Sequence, residues 1–363
     1  VLRRNNAIFD RFRGHNGRLH SRMLKVRSLD HEPSGGRPSM CMISRKLRRS
    51  GKGLAAILCL LTPWAAQASP CRVIDAYTPA DTLSHRTTGM SSADQLAAFR
   101  QDVVARYPGL YAPQVLDLPP GQDMDTLVLA SLAAARESRT RAALMVTLRH
   151  LVDRTQASFR KLDGFRCDFP IYLTDSLGQF DGAGRIVDGR RSLVLGMDAL
   201  DGEQRLISLP VFIAHEIFHR YHFMAGGFGD DDADRQPLWR TLWAEGLATY
   251  ASRALTSGAT IEQALMLPAD LSQRAAPLRP TIAADLLAHL DRVDPDIYRT
   301  YFTYGNKAVA ARGLPWRSGY YIGYLIAARL ARRHTLGQLA HMPPRQVHAL
   351  IRNALREMAS PRT

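Results

Sequence analysis

Two histidines and a glutamate stand closest to chemistry in this chain. They lie in Val211-Phe212-Ile213-Ala214-His215-Glu216-Ile217-Phe218-His219. On an α-helix, residues four apart differ by about 40° around the axis and about 6 Å along it. His215 and His219 therefore leave one face of a helix one turn apart, and their ring nitrogens can converge on one divalent cation. Glu216 is rotated about 100° from His215. It can reach a water beside the ion without itself binding the ion. The chemistry implied is metal-assisted hydrolysis with Glu216 as general base. The spacing matches the His-Glu-x-x-His signature of zinc sites on helices, so Zn2+ is the expected cofactor.

A catalytic zinc needs a third protein ligand. Glu245 is the candidate, in the amphipathic segment Leu242-Trp243-Ala244-Glu245-Gly246-Leu247-Ala248-Thr249-Tyr250. His222 is the competitor. It shares a face with His215 but lies about 10 Å farther along the axis, too far for one ion on a straight helix. His222 is expected instead as a solvent-facing or supporting residue. The Glu-Gly-x-Ala run resembles the second motif of the gluzincin metalloproteases. That resemblance implies Glu245 as the carboxylate ligand, with small residues letting two helices approach closely. The metzincin pattern is absent, because Ala225 stands where its third histidine would be.

Phe212 to Tyr250, with Ser318-Gly319-Tyr320-Tyr321-Ile322-Gly323-Tyr324 downstream, is similar to a family of predicted bacterial zinc-dependent proteases grouped as DUF2268. The likeness covers about the last half of the chain. It implies a zincin-like, two-lobed catalytic domain, mainly helical and of the α+β class, with a small sheet and a helical C-terminal lobe. It also implies a tyrosine or histidine from that lobe as donor to the oxyanion. Tyr320, Tyr321 and Tyr324 are available; Tyr320 and Tyr324 share a helix face, and Tyr320 is the one carried forward. His289, His334, His341 and His348 read as surface residues. The chain departs from the family between the two motifs. Asp230, Asp231, Asp232 and Asp234 lengthen the gap between His219 and Glu245. This acidic run reads as a solvated loop, with calcium binding or a taste for cationic substrates as alternatives.

The helices that carry these residues need positioning elements. Ser92-Ala93-Asp94-Gln95 opens a helix through about Arg106, which stops before Pro108. Pro113–Gln122 reads as a connector, and 123–161 as two helices with apolar faces. Ser69–Thr88 is expected to be irregular. Pro170-Ile171-Tyr172-Leu173 and Ser192-Leu193-Val194-Leu195-Gly196-Met197 read as strands joined by a glycine-rich connection. The second is a candidate edge for pairing with extended substrate. Ser208 and Pro210 open the motif helix, which ends at Gly226-Gly227. The remainder is helical, with loops near 226–237, 268–280 and 305–317.

The chain has 363 residues and a formal net charge of +15. The charge is localised: residues 1–68 hold 14 basic and three acidic residues, leaving 34 basic against 30 acidic in the rest. The folded part therefore lacks a nucleic-acid footprint. Arg45-Lys46-Leu47-Arg48-Arg49, the apolar Leu54–Ala66 and Ala66-Gln67-Ala68 form a signal peptide over 42–68. Export follows, to the periplasm or outside, with no stable membrane span once the leader is cleaved. Residues 1–41 lack periodicity and read as an extension upstream of a true start at Met40 or Met42. The expected order is this extension, the signal peptide, a mostly helical 69–165 and a metalloprotease-like 166–363. Cleavage leaves Cys71 and Cys167, an even pair in an exported chain, expected as a disulfide. Peptides or proteins are the expected substrates. A zinc-containing envelope protein without catalysis, or a binding module, is the rival reading.

Overall fold

The computed structural model describes residues 71–360, except 119, 227 and 229–234. The expected leader, the upstream extension and the four aspartates of the acidic run lie outside these residues. The described residues form one compact unit.

The sheet that positions the site has four strands: β1 (Arg72–Asp75), β2 (Pro170–Thr174), β3 (Gly182–Val187) and β4 (Arg190–Gly196). Their order is β1-β2-β4-β3. β1 and β4 both run parallel to β2, with Val73 opposite Ile171 and Ile171 opposite Leu193. β3 runs antiparallel to β4, with Val187 opposite Arg190. The turn between them is Asp188-Gly189, both at positive φ (48° and 74°). That is the two-residue hairpin turn whose twist suits paired strands.

Three expectations change here. Within the segment 69–88, residues 71–88 are described and supply β1 and the helix Thr78–Arg86. The glycine-rich connection after β2 holds a strand of its own, β3. As a result the strand through Leu193–Leu195 is interior, hydrogen-bonded on both sides, and cannot receive a substrate strand. The edges are β1 and β3. The Asp188-Gly189 pair was the local signal for this hairpin.

Side chains alternate across a strand, so each sheet face has its own core. Ile171, Leu173, Leu193 and Leu195 face a large core shared with the helices of the second half. Val194 and Val187 face a smaller core, with Leu83, Phe99, Val103, Val128 and Leu132 from the first half. The first-half helices are Ser92–Phe99, running into a π-turn at Arg100–Val104, then Met124–Glu137 and Arg141–Phe159, with a short turn at Pro113–Leu116 inside the expected connector. Asp123 caps Met124–Glu137 by accepting from the backbone N–H groups of Asp125 and Thr126.

Cys71 and Cys167 are disulfide-bonded, with Cα atoms 4.8 Å apart. The bond joins the residues just before β1 and β2 and closes a separation of 96 residues.

Three helices carry the candidate site residues. The motif helix is Leu209–Ala225, the Glu245 helix is Leu238–Leu255 and the tyrosine helix is Ser318–Leu330. Pro210 sits in the first turn of the motif helix, where its missing N–H costs nothing. Ser208 is the N-cap residue, but its side chain makes no capping bond. Buried residues circle the motif helix, among them Val211, Phe212, Ile213, Ile217 and Tyr221, as expected of a helix enclosed by protein. The expected loops at 268–280 and 305–317 contain short helices, Leu271–Ala275 and Lys307–Ala311. The whole is mainly helical with a small mixed sheet, an α+β arrangement. No helix among the described residues is long and apolar enough to cross a membrane.

Candidate metal centre

The motif helix brings the two histidines together as their spacing requires. His215 Nε2 and His219 Nε2 are 2.9 Å apart. Glu245 Oε2, from the next helix, lies 3.3 Å from the first and 3.5 Å from the second. These side chains form a group able to hold a metal ion. A point equidistant from the three atoms lies about 1.9 Å from each. Zinc sits about 2.0–2.2 Å from such ligands, so the three atoms are close enough together to hold one such ion. The donor set, two imidazoles and one carboxylate, is the borderline-soft mixture zinc accepts. The Nδ1 atoms of both histidines are buried without hydrogen-bond partners, so only the Nε2 edges of these rings are engaged.

The electrostatics agree with a shared cation position. Burial would raise Glu245, yet the charge of His219 and hydrogen bonds from both imidazoles hold it well below the usual carboxylate range. Burial and the neighbouring His219 push His215 down to about 4, against the pull of Glu245. The site is narrow but open: the side chains of His219 and Glu245 keep 13% and 17% of their exposure.

Glu216 stands beside this triad and outside it. Burial, with Asp181 and Glu245 nearby, raises it to about 8 against the opposing charge of His219. Its neighbour across the sheet is Gly182, the first residue of β3. A Cβ there would lie 2.8 Å from Phe212 Cζ and 3.1 Å from Glu216 Cδ. Glycine therefore lets the edge strand lie directly against the Glu216 side chain.

Tyr320 is the tyrosine that faces the site. Its ring is 6.4 Å from the His215 ring. Tyr324 is engaged elsewhere, accepting from the Arg253 guanidinium and packing on Tyr250, and Tyr321 is buried in the core. The tyrosine helix is held there by glycines. A Cβ on Gly246 would lie 2.3 Å from the carbonyl carbon of Gly323, and one on Gly323 would lie 2.6 Å from Leu242 O. The expected close approach beside Glu245 is thus between the Glu245 helix and the tyrosine helix, rather than the motif helix.

His222 is neither solvent-facing nor near enough to the triad to join it. It is fully buried against Phe218, Phe228 and Trp243, both ring nitrogens lack partners, and burial lowers it to about 3. It is a neutral core ring.

Sequence reasoning missed three charged neighbours. Asp181, at the entry to β3, and Glu203 hydrogen-bond to each other; burial raises both, Glu203 to about 8. Arg317 immediately precedes the tyrosine helix with a left-handed φ of 60°. Only a non-glycine residue held at positive φ would have marked Arg317, and sequence does not show φ. Compared with family models, curated proteins and solved structures, the chain matches none.

Proposed function

We propose that this chain is an exported zinc-dependent peptidase of the gluzincin type. The observation that carries this reading is the convergence of His215, His219 and Glu245 on one point, with a second glutamate beside that point and outside the ligand set. Zinc, when bound, supplies a Lewis acid that polarises the scissile carbonyl and acidifies water. Glu216 takes a proton from the attacking water and passes it to the leaving amine nitrogen. Tyr320 donates a hydrogen bond to the developing oxyanion. β3 is the strand open to pair with extended substrate, since it is an edge and Gly182 borders Glu216. The sheet and motif helix form one lobe of a zincin-like domain, and the later helices form the other. The Cys71–Cys167 bond supports an oxidising compartment, and so supports export.

The test is zinc stoichiometry followed by digestion of a peptide library. Wild type is expected to hold one zinc per chain, and His219→Ala and Glu245→Ala to lose it. Glu216→Gln keeps zinc and loses about a thousandfold in turnover, within the range that positioned proton transfer contributes. Zinc-loaded wild type that cleaves nothing, or Glu216→Gln that still cleaves, rejects the proposal.

A further inference from the structure

Arg317 is held in an unusual way. Its guanidinium lies over the Tyr320 ring, 4.1 Å from the centroid, and over the Tyr304 ring at 4.8 Å. Nη1 donates to the Tyr304 hydroxyl. Nε is buried and has no hydrogen-bond partner. Among the described residues no carboxylate pairs with Arg317, although Asp181, Glu203 and Glu245 act on it at longer range. The residue also occupies the left-handed region, where non-glycine residues are rare and cluster at ligand sites.

A half-buried guanidinium whose enclosed Nε has no partner is costly unless something completes it. Stacking on two phenol rings fixes its plane, which is how arginine is prepared for two-pronged recognition of a planar anion. Its position is beside the reaction centre. Through the Tyr320 ring it lies within roughly 10 Å of the His215 imidazole, a distance that extended peptide, at about 3.3 Å per residue, covers in about three residues.

We infer that Arg317 binds a substrate carboxylate, and that the substrates are peptides engaged by their free C-terminus and cut within a few residues of it. This rests on the peptidase reading and narrows its substrate class. The alternative is a purely internal role, in which Arg317 only orients Tyr320.

The two roles separate by experiment. Random N-acetylated hexapeptides are prepared as free acids and as C-terminal amides. Both sets are passed over immobilised Glu216→Gln protein, with and without zinc, and both are digested with zinc-loaded wild type. The free acids are expected to be retained at least about tenfold more strongly than the amides, and cleaved near the C-terminus. Arg317→Gln should abolish that preference while zinc content and melting temperature hold. Arg317→Lys, which keeps the charge without the planar fork, should lose most of it and serves if the glutamine variant fails to fold. Equal retention of acids and amides, including none of either, overturns the inference. So does a preference that survives Arg317→Gln. A loss of turnover equal on acids and amides in Arg317→Lys assigns the residue to Tyr320 instead. Cleavage of both sets alike sinks the carboxylate anchor and leaves the peptidase standing; absence of bound zinc sinks the peptidase, while acid-selective retention by the metal-free protein would still uphold the anchor.

Discussion

The carboxylates around one face of the sheet and the imidazoles around the other are satisfied differently. Around the first-half face, carboxylates are closed locally. Asp75 accepts from the N–H groups of Tyr77 and Thr78, Asp175 from Leu177, and Asp198 from Ser176 and Gly178. Tyr107 donates to the Asp75 carbonyl. Around the motif-helix face, buried polar atoms are left open: Nδ1 of His215 and His219, both nitrogens of His222, and Nε of Arg317. Buried polar groups are nearly always paired in folded proteins. Exceptions occur in the first half too, at Arg136 Nε, Arg141 Nη1 and Gln156 Nε2, but the unpaired ring nitrogens gather around His215, His219 and Glu245, the group able to hold a metal ion.

The comparison can be broken by steric change first. Gly323→Ala should drive the tyrosine helix off the Glu245 helix, because the added carbon has backbone on every near side. The expected cost is about 3 kcal/mol, at the upper end for overpacking, with weakened zinc binding as Glu245 shifts. Melting curves and zinc titration check this; an unperturbed protein would mean the binding face is less tightly set than its contacts imply.

On the closed face, Asp175 sharpens the contrast through pH. Burial, then the charge of Asp198, raises it to about 7. The folded chain therefore holds its proton more tightly than the unfolded chain does, and stability falls as pH rises from about 4 to about 7. Asp175→Asn should remove a drop of a few kcal/mol, about 1.4 for each pH unit crossed in that window. Denaturant melts at several pH values read it directly, and parallel profiles for the two proteins would reject it.

Gly182→Ala tests the border between the faces. The methyl must displace Phe212 or the Glu216 carboxylate. Activity should fall about tenfold with zinc content unchanged, a misplacement of the base worth about 1.4 kcal/mol. The smallest effect belongs to His222→Leu. With no hydrogen bond to lose, it should change stability by less than about 0.5 kcal/mol or raise it slightly. A loss above about 1 kcal/mol would show that His222 has a partner after all, and that this face is less open than described.

Parts of this arrangement were legible in advance because they are local. Four-residue spacing on a helix puts His215 and His219 on one side wherever the helix lies. The two helices over 123–161 and the strands through Ile171 and Leu193 follow from periodicity. Other parts depended on pairing. A run such as Leu193–Leu195 reads the same at an edge or in the middle of a sheet, and only the neighbouring β3 decided which. Val73-Ile74 was too short to read as a strand until β2 lay beside it. His222 looked peripheral because polarity suggests exposure, and the aromatic rings that bury it come from separate elements.

The sequence by itself determined which atoms could meet a metal along one helix, since backbone geometry repeats every turn. It also determined that two cysteines remain to pair once the expected leader is removed. Tertiary structure alone decided that Glu245 reaches the histidine pair, that Tyr320 rather than Tyr324 faces it, and that Arg317 stands beside it with donors to spare. Those outcomes depend on helices separated by tens of residues meeting at glycine contacts, and contact between distant segments is set by packing, which no local spacing encodes.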